Sequence, residues 1–310
     1  MQPDPAFDAL RADHPGLPLR RRRDEVRGLG LHLVEAGPEE GRPVLLLHGF
    51  PEFWWGWRHQ LPALAAAGFR CLVPDLPGYN LSDKPRGLSS YGLDPLAEVV
   101  RDLLALAGPE PMPLVGHDWG GALAWWAALR FPERISRMAV LNIPHPAVLR
   151  RTLLRSREQR RRSRYMLYFQ LPWLPERKLR AGGFRPFRAI FRRSSRRDTF
   201  SEAELDLYAG AAARPGALTA MLAWYRAALW KRPARPPQRR VEPPVLILWG
   251  TGDVALGEEM VEPSAARCRQ AEVVRIEGAG HWVLHEAAEE VSRQLLAFLA
   301  PEPIRSSSLP

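Results

Sequence analysis

Gly116-His117-Asp118-Trp119-Gly120-Gly121 sets an acid among small residues: one glycine stands two before it, and two glycines begin two after it. That spacing is the frame of a sharp strand-to-helix elbow, which usually carries a serine nucleophile. Pro113-Leu114-Val115-Gly116 reads as the strand, and Ala122-Leu123-Ala124-Trp125 as the start of the helix. Aspartate is also a common helix N-cap, but capping does not require the flanking glycines. A serine at this bend makes an acyl-enzyme. A carboxylate, with a reference pKa of about 3.9, is already ionised at neutral pH. It can attack a saturated carbon directly and become an ester itself. Suitable targets carry a leaving group on sp³ carbon: a strained epoxide or a carbon–halogen bond.

The residues that would complete such a site follow from this chemistry. His48-Gly49-Phe50-Pro51 comes directly after an apolar run. In this kind of elbow architecture, that loop gives one backbone N–H to an oxyanion hole, here from Phe50. The residue after the nucleophile, Trp119, gives the other. His48, Gly49, Pro51, Gly116, His117 and Gly120 are scaffold of the two motifs. A charge relay then needs an acid and a histidine, in the order nucleophile, acid, histidine. Asp253 stands just beyond a strand end in "WGTGDVALG", and His281 lies between the last strand and last helix in "EGAGHWVLHEAAEEV". His285, four residues on, is the ambiguous alternative; the glycines around His281 favour the earlier position. His14, His32, His59 and His145 lack a comparable loop position.

Elements able to position these groups can be read from the apolar pattern. Strands are expected at 30–36, 44–48, 70–74, 112–116, 137–142, 245–250 and 272–276, several of them continuous apolar runs suited to a sheet buried on both faces. Helices are expected between them at 57–68, 92–107, 119–130 and 286–300. The alternation predicts an α/β fold with a mostly parallel, doubly wound sheet. It breaks between 146 and 240, where the pattern is helical with prolines. Ser201-Glu202-Ala203-Glu204 reads as a capping box, and Leu218, Met221, Leu222, Tyr225 and Leu229 fall at helical spacing. The expected organisation is a core of 1–145 and 241–300, a helical lid of 146–240 inserted after the sixth strand, and a flexible tail of 301–310.

Charge sets this middle segment apart. Residues 146–240 hold 24 of the 44 Lys and Arg but 6 of the 34 Asp and Glu, a balance of +18; the remainder, 20 against 28, carries −8. The densest stretch, 150–164, reads as a solvated arginine face. The sharper alternative is docking on an anionic membrane surface or acidic partner. Interleaved aromatics of the kind that stack bases are absent there, so nucleic acid is not expected. No apolar run is long enough to span a bilayer, and the N-terminus lacks the apolar stretch of a secretory signal. Cys71 and Cys268 sit in apolar surroundings and read as buried thiols, consistent with a reducing cytoplasm. No His/Cys cluster has metal-ligand spacing and no phosphate loop is present, so neither metal nor cofactor is expected.

Together these motifs resemble the α/β-hydrolase family, and within it the epoxide hydrolases. The resemblance spans roughly residues 24–300 and rests on "HGFP" at 48–51, "PDLPGYNLSDKP" at 74–85, the Asp118 elbow, "LNIPHP" at 141–146, Asp253 and His281. "YMLYFQLP" at 165–172 and "MLAWYRA" at 221–227 are similar to lid segments that carry that family's paired tyrosines, which selects Tyr165 and Tyr225; Tyr168 is expected only to pack. The resemblance implies a water-consuming opening of a small apolar epoxide by a monomer or homodimer. Haloalkane dehalogenases resemble the chain at the elbow and are the alternative, with Trp119 and Trp173 as halide donors. Some of them place Asn where Phe50 stands, and Phe50 has no side-chain donor. Fluoroacetate dehalogenases share the HGFP start but carry arginine where Trp119 stands. A non-enzymatic ligand receptor on this scaffold would show a lost triad member, and none is lost. Trp54, Trp55, Trp119, Trp173 and Trp224 are expected to line an aromatic pocket.

Overall fold

A computed structural model describes residues 2–300. Among these residues the strands are β1 (Leu19–Val26), β2 (Leu29–Ala36), β3 (Arg42–Leu47), β4 (Phe69–Pro74), β5 (Met112–His117), β6 (Ile135–Leu141), β7 (Val245–Gly250) and β8 (Ala271–Ile276). They form one sheet in the order β1-β2-β4-β3-β5-β6-β7-β8. β2 pairs antiparallel with β1 and β4, and the other pairs are parallel. Val44–Leu47 and all of β7 are buried, as strands covered on both faces should be. The register brings Leu47 beside Gly116, His117 beside Leu141, and Leu141 beside Leu248. The carboxyl ends of four central strands therefore come level, the edge where open α/β sheets carry their sites.

The helices are α1 (Pro5–Asp13), α2 (Leu61–Ala66), α3 (Leu93–Leu106) and α4 (Trp119–Arg130), then α5 (Pro146–Arg155), α6 (Arg157–Arg162), α7 (Arg164–Tyr168), α8 (Leu174–Ser194), α9 (Glu202–Ala213) and α10 (Ala217–Trp230), and finally α11 (Val261–Ala265), α12 (Val283–Glu286) and α13 (Ala288–Leu299). The expected break in alternation is present: α5 to α10 follow one another between β6 and β7. Ser201 and Glu204 form the capping box of α9. α8 is interrupted at Ala181–Phe184, where Gly182, Gly183 and Phe184 have positive φ. The helix expected at 286–300 is divided in two, and that expected at 57–68 is reduced to α2 after a 3₁₀ turn at Trp54–Trp57. The tail at 301–310 lies outside the described residues. Among the described residues, no helix is long and apolar enough to cross a membrane. Cys71 and Cys268 are buried and unpaired.

One strand was not expected. β1, Leu-Arg-Arg-Arg-Arg-Asp-Glu-Val, has no apolar alternation. It forms because arginine stems can lie along a sheet while their heads reach outward. Arg20 is in register with Glu35, and Arg20 and Arg22 both reach that carboxylate, at 3.6 and 3.3 Å. A charged edge strand also discourages pairing with another sheet.

Candidate active site

Asp118 occupies the bend between β5 and α4, with φ +48° and ψ −120°. A non-glycine residue there is strained, and such strain persists only where the surrounding contacts hold it. The bend closes because strand and helix touch at the glycines. A Cβ on Gly120 would stand 2.3 Å from the Leu47 carbonyl oxygen, so only glycine fits. Gly49 is the second such position: a Cβ there would meet Asp118 Oδ1 at 2.6 Å. Gly116 and His117 end β5, and Phe50 and Pro51 follow the turn after β3.

The three titratable candidates come together at this edge. Phe50 N–H donates to Asp118 Oδ1 at 2.8 Å. Asp118 Oδ2 lies 3.6 Å from His281 Nε2. His281 Nδ1 lies 2.8 Å from Asp253 Oδ2. Asp253 is itself held on three sides: Oδ1 accepts from Ala255 N at 2.7 Å and Leu256 N at 2.9 Å, and Oδ2 accepts from Asn142 Nδ2 at 2.7 Å. Trp119 opens α4, so its N–H is among the first-turn amides that have no intrahelical partner. His48 acts as a brace: its Nδ1 donates to Gly49 O at 3.0 Å while Nε2 accepts from Leu76 N at 3.0 Å.

Electrostatics follow from burial and pairing. Burial opposes the charge on Asp253, but the His281 charge and hydrogen bonds hold its carboxyl below the usual range. Burial likewise opposes a proton on His281, yet Asp253 and Asp118 outweigh it and hold the imidazole well above its ordinary value. A pKa raised on folding adds stability that is complete below the unfolded value of about 6.5 and is lost as pH rises through the folded value. A pKa lowered on folding, as for Asp253, adds stability above about pH 3.9 that is lost as pH falls through the folded value. The destabilisation caused by Asp253→Asn, measured by urea unfolding, is therefore expected to be largest between about pH 4 and 6.5 and to shrink at alkaline pH. A destabilisation that does not shrink between about pH 6.5 and alkaline pH would contradict the pairing.

Above Asp118 stands an aromatic group. Phe50 packs edge-on to Tyr225 at 5.0 Å and to Phe169 at 5.6 Å. Tyr165 packs on Phe169 at 5.6 Å and on Tyr225 at 5.9 Å. Trp119 meets Tyr225 at 5.1 Å and Trp224 at 5.8 Å. Burial raises the pKa of both Tyr165 and Tyr225, and the Asp118 charge adds to it, so both phenols stay protonated. Tyr168 turns its hydroxyl to Leu174 O, at 3.5 Å. The expected tryptophan lining needs correction. Trp54 is buried against Phe7, Phe53 and Trp55 and donates to Asp4 at 3.0 Å. Trp55 is buried with Arg58 over its ring. Trp173 is 79% exposed, because it caps α8 on the outside of the helical segment. Trp119 and Trp224 are the two of the five that pack in this group, beside Phe50 and Phe169.

Several polar residues at the site escape a reading of sequence alone. Asn142, with φ +45°, follows β6 and bridges Asp253 to the Gly250 N–H, 2.9 Å away. It lies inside "LNIPHP", and a tolerance of left-handed backbone was its only signal. Glu52 is fully buried. Its oxygens meet His117 Nδ1 at 3.1 Å, His285 Nε2 at 2.7 Å and the Tyr208 hydroxyl at 2.9 Å. His117 Nε2 in turn donates to the His281 carbonyl at 2.8 Å. Burial and the nearby Arg58 charge push His285 down to about 4, so it is neutral and donates to Glu52. His285 thus belongs to a brace between α9 and the site. Among the described residues, no group of three or more His, Cys, Asp or Glu could hold a metal ion.

A sheet of this order, with an acid, a histidine and a second acid at its carboxyl edge, is the α/β-hydrolase arrangement, and the family model described as alpha/beta hydrolase fold matches residues 42–288. The chain is 38% identical to the AB hydrolase superfamily protein YfhM of Bacillus subtilis, over 88% of this chain and 96% of that protein. It is 34% identical to Epoxide hydrolase 2 of Caenorhabditis elegans, over 91% of this chain and 80% of that protein. The crystal structure of a Bacillus megaterium epoxide hydrolase in complex with an inhibitor superposes with a TM-score of 0.82 at 29% identity, covering 90% of this chain and 99% of that one. The chain belongs to the epoxide hydrolases of the α/β-hydrolase fold.

Proposed function

We propose that the chain hydrolyses an apolar epoxide to a vicinal diol through a covalent ester of Asp118. The observation that carries this reading is the division of labour between the two oxygens of Asp118. Oδ1 is engaged by the Phe50 N–H at 2.8 Å, while Oδ2 stands toward His281. Oδ2 attacks an epoxide carbon, the ring C–O bond breaks, and the departing oxygen takes a proton from Tyr165 or Tyr225. Their raised pKa values keep them donors at neutral pH. Helices α5 to α10 act as the lid that brings these phenols over the elbow, with 146–240 as its span and 1–145 and 241–300 as the core.

The second half-reaction follows from the same contacts. Esterification removes the negative charge of Asp118, one of the charges that keep the proton on His281. The imidazolium then returns a proton to the phenolate left by ring opening, becomes a neutral base and takes a proton from water, while Asp253 orients the ring and stabilises the imidazolium. Hydroxide adds to the Asp118 carbonyl carbon. The oxyanion forms at Oδ1, where the N–H groups of Phe50 and Trp119 receive it. The hole therefore serves the enzyme's own carbonyl. Collapse breaks the bond from the carbonyl carbon to Oδ2, the imidazolium protonates the departing alkoxide to release the diol, and the acid proton left on Asp118 passes back to His281, which restores the carboxylate.

Oxygen bookkeeping tests this route. In a single turnover in heavy-oxygen water with enzyme in excess, the label enters Asp118 and the first diol stays unlabelled. Label appearing directly in that diol would exclude the ester. The dehalogenase alternative loses its lid donor, because Trp173 is 79% exposed.

A further inference from the structure

Large apolar side chains are exposed together on one end of the helical segment, and basic residues surround them. Trp173, Trp230 and Leu167 are 79%, 68% and 64% exposed, and Leu171, Leu174 and Leu229 are also open to solvent. Hydrogen bonds gather them into one surface. Trp230 Nε1 donates to Gln170 Oε1 at 3.1 Å, and Gln170 Nε2 donates to Tyr225 O at 3.1 Å. Arg226 donates to Phe169 O at 2.9 Å and Leu171 O at 2.8 Å. The turn from Gln170 to Leu174 is thus stitched to the end of α10. Trp173 is held at its tip with φ +51°, between Pro172 and Pro175. Arg177, Lys178, Lys231 and Arg232 are exposed beside these residues. Glu176, the one acid between 164 and 180, is buried against Arg226 at 2.8 Å, and residues 225–240 contain none.

We propose that this surface docks the enzyme on an anionic lipid bilayer. Exposed apolar patches of this kind mark interaction sites. Tryptophan settles at the headgroup level, leucine enters the acyl boundary, and flanking Lys and Arg are attracted to anionic headgroups. A second copy of the chain would bring the same positive surface against itself, since 146–240 carries +18. A nucleic acid would meet the charge and leave the leucines wet. The bilayer satisfies both. The platform lies at 167–178 and 226–232, outside the arginine-dense 150–164 that the sequence brings to notice. Its elements are those that carry Tyr165 and Tyr225, so docking sets the site beside a phase in which apolar epoxides concentrate. That benefit rests on the epoxide reading; the docking does not.

Co-sedimentation of the full chain with phosphatidylglycerol/phosphatidylcholine vesicles tests the proposal without any epoxide. At low salt, binding is expected to be at least about tenfold tighter than to phosphatidylcholine alone and to weaken as salt screens the charges. Leu171→Ser with Trp173→Ser, and separately Lys178→Glu with Lys231→Glu, are each expected to lower it about tenfold or more, with circular dichroism and turnover of a water-soluble substrate unchanged. Absence of binding to the anionic vesicles would overturn the proposal. So would binding that survives both variants. A dimer seen by light scattering without lipid and dissolved by the Trp173 variant would assign the surface to a second copy instead.

Discussion

Asp118→Ala is expected to lower epoxide turnover by at least about 10⁴-fold, or about 5.4 kcal/mol of transition-state stabilisation. In serine hydrolases, loss of the nucleophile leaves a residual rate because the oxyanion hole still acts on the substrate's carbonyl. No such remainder is expected here. The Phe50 N–H is directed at Asp118 Oδ1, so the alanine variant removes the nucleophile and the hole's acceptor together. Water would have to attack the epoxide unaided. The fold should survive, since the bend is set by the close approach of Gly116 and Gly120 to neighbouring backbone and not by the Asp118 side chain. Steady-state assay across aryl and alkyl epoxides, with circular dichroism as the control, checks this. Turnover within about tenfold of wild type would mean that another group attacks.

Tyr165→Phe together with Tyr225→Phe is expected to lower epoxide opening by about 10³-fold or more, within the range of a positioned general acid. Each single change should cost far less, because the remaining phenol can still protonate the departing oxygen. The packing of both rings on Phe169, at 5.6 and 5.1 Å, is retained by phenylalanine. Halide departure needs no proton, so any slow dehalogenation of a bromoalkane should be spared. Burial and the Asp118 charge raise both phenols above the ordinary value of about 10, so the wild-type opening step should not fall with pH below about 10. Rapid-quench measurement of the alkylation step separates this from ester hydrolysis. Opening that persists in the double variant would remove the tyrosines from the account.

How much of this was readable beforehand depends on how local each cause is. The elbow was legible because Gly120 must let α4 touch the Leu47 carbonyl, a demand that leaves its mark within six residues. The central strands were legible as apolar runs, as in Val245–Leu248. Asp253 and His281 could be placed by chain order at strand ends, and their side chains do meet, at 2.8 Å. β1 was invisible because four arginines carry no apolar period; backbone pairing with β2 along its length, with Arg20 and Arg22 on Glu35 and Arg23 on Asp83, makes them a strand. Glu52 was missed for a related reason. Its partners are 65, 156 and 233 residues away, and nothing within "HGFPEFW" announces them. Trp173 shows the opposite error: an aromatic in a lid pattern invites a pocket role, while the direction it faces is decided by the turn that caps α8.

The central claim is that a carboxylate at the elbow becomes an ester. His281→Gln is the sharpest probe, because it keeps a polar side chain beside Asp118 and Asp253 while removing the base that releases the ester. Incubated with an epoxide and examined by intact mass and peptide mapping, this variant is expected to gain the mass of one substrate, localised to Asp118. An unmodified protein after full exposure, or an adduct mapped to any other residue, would contradict it.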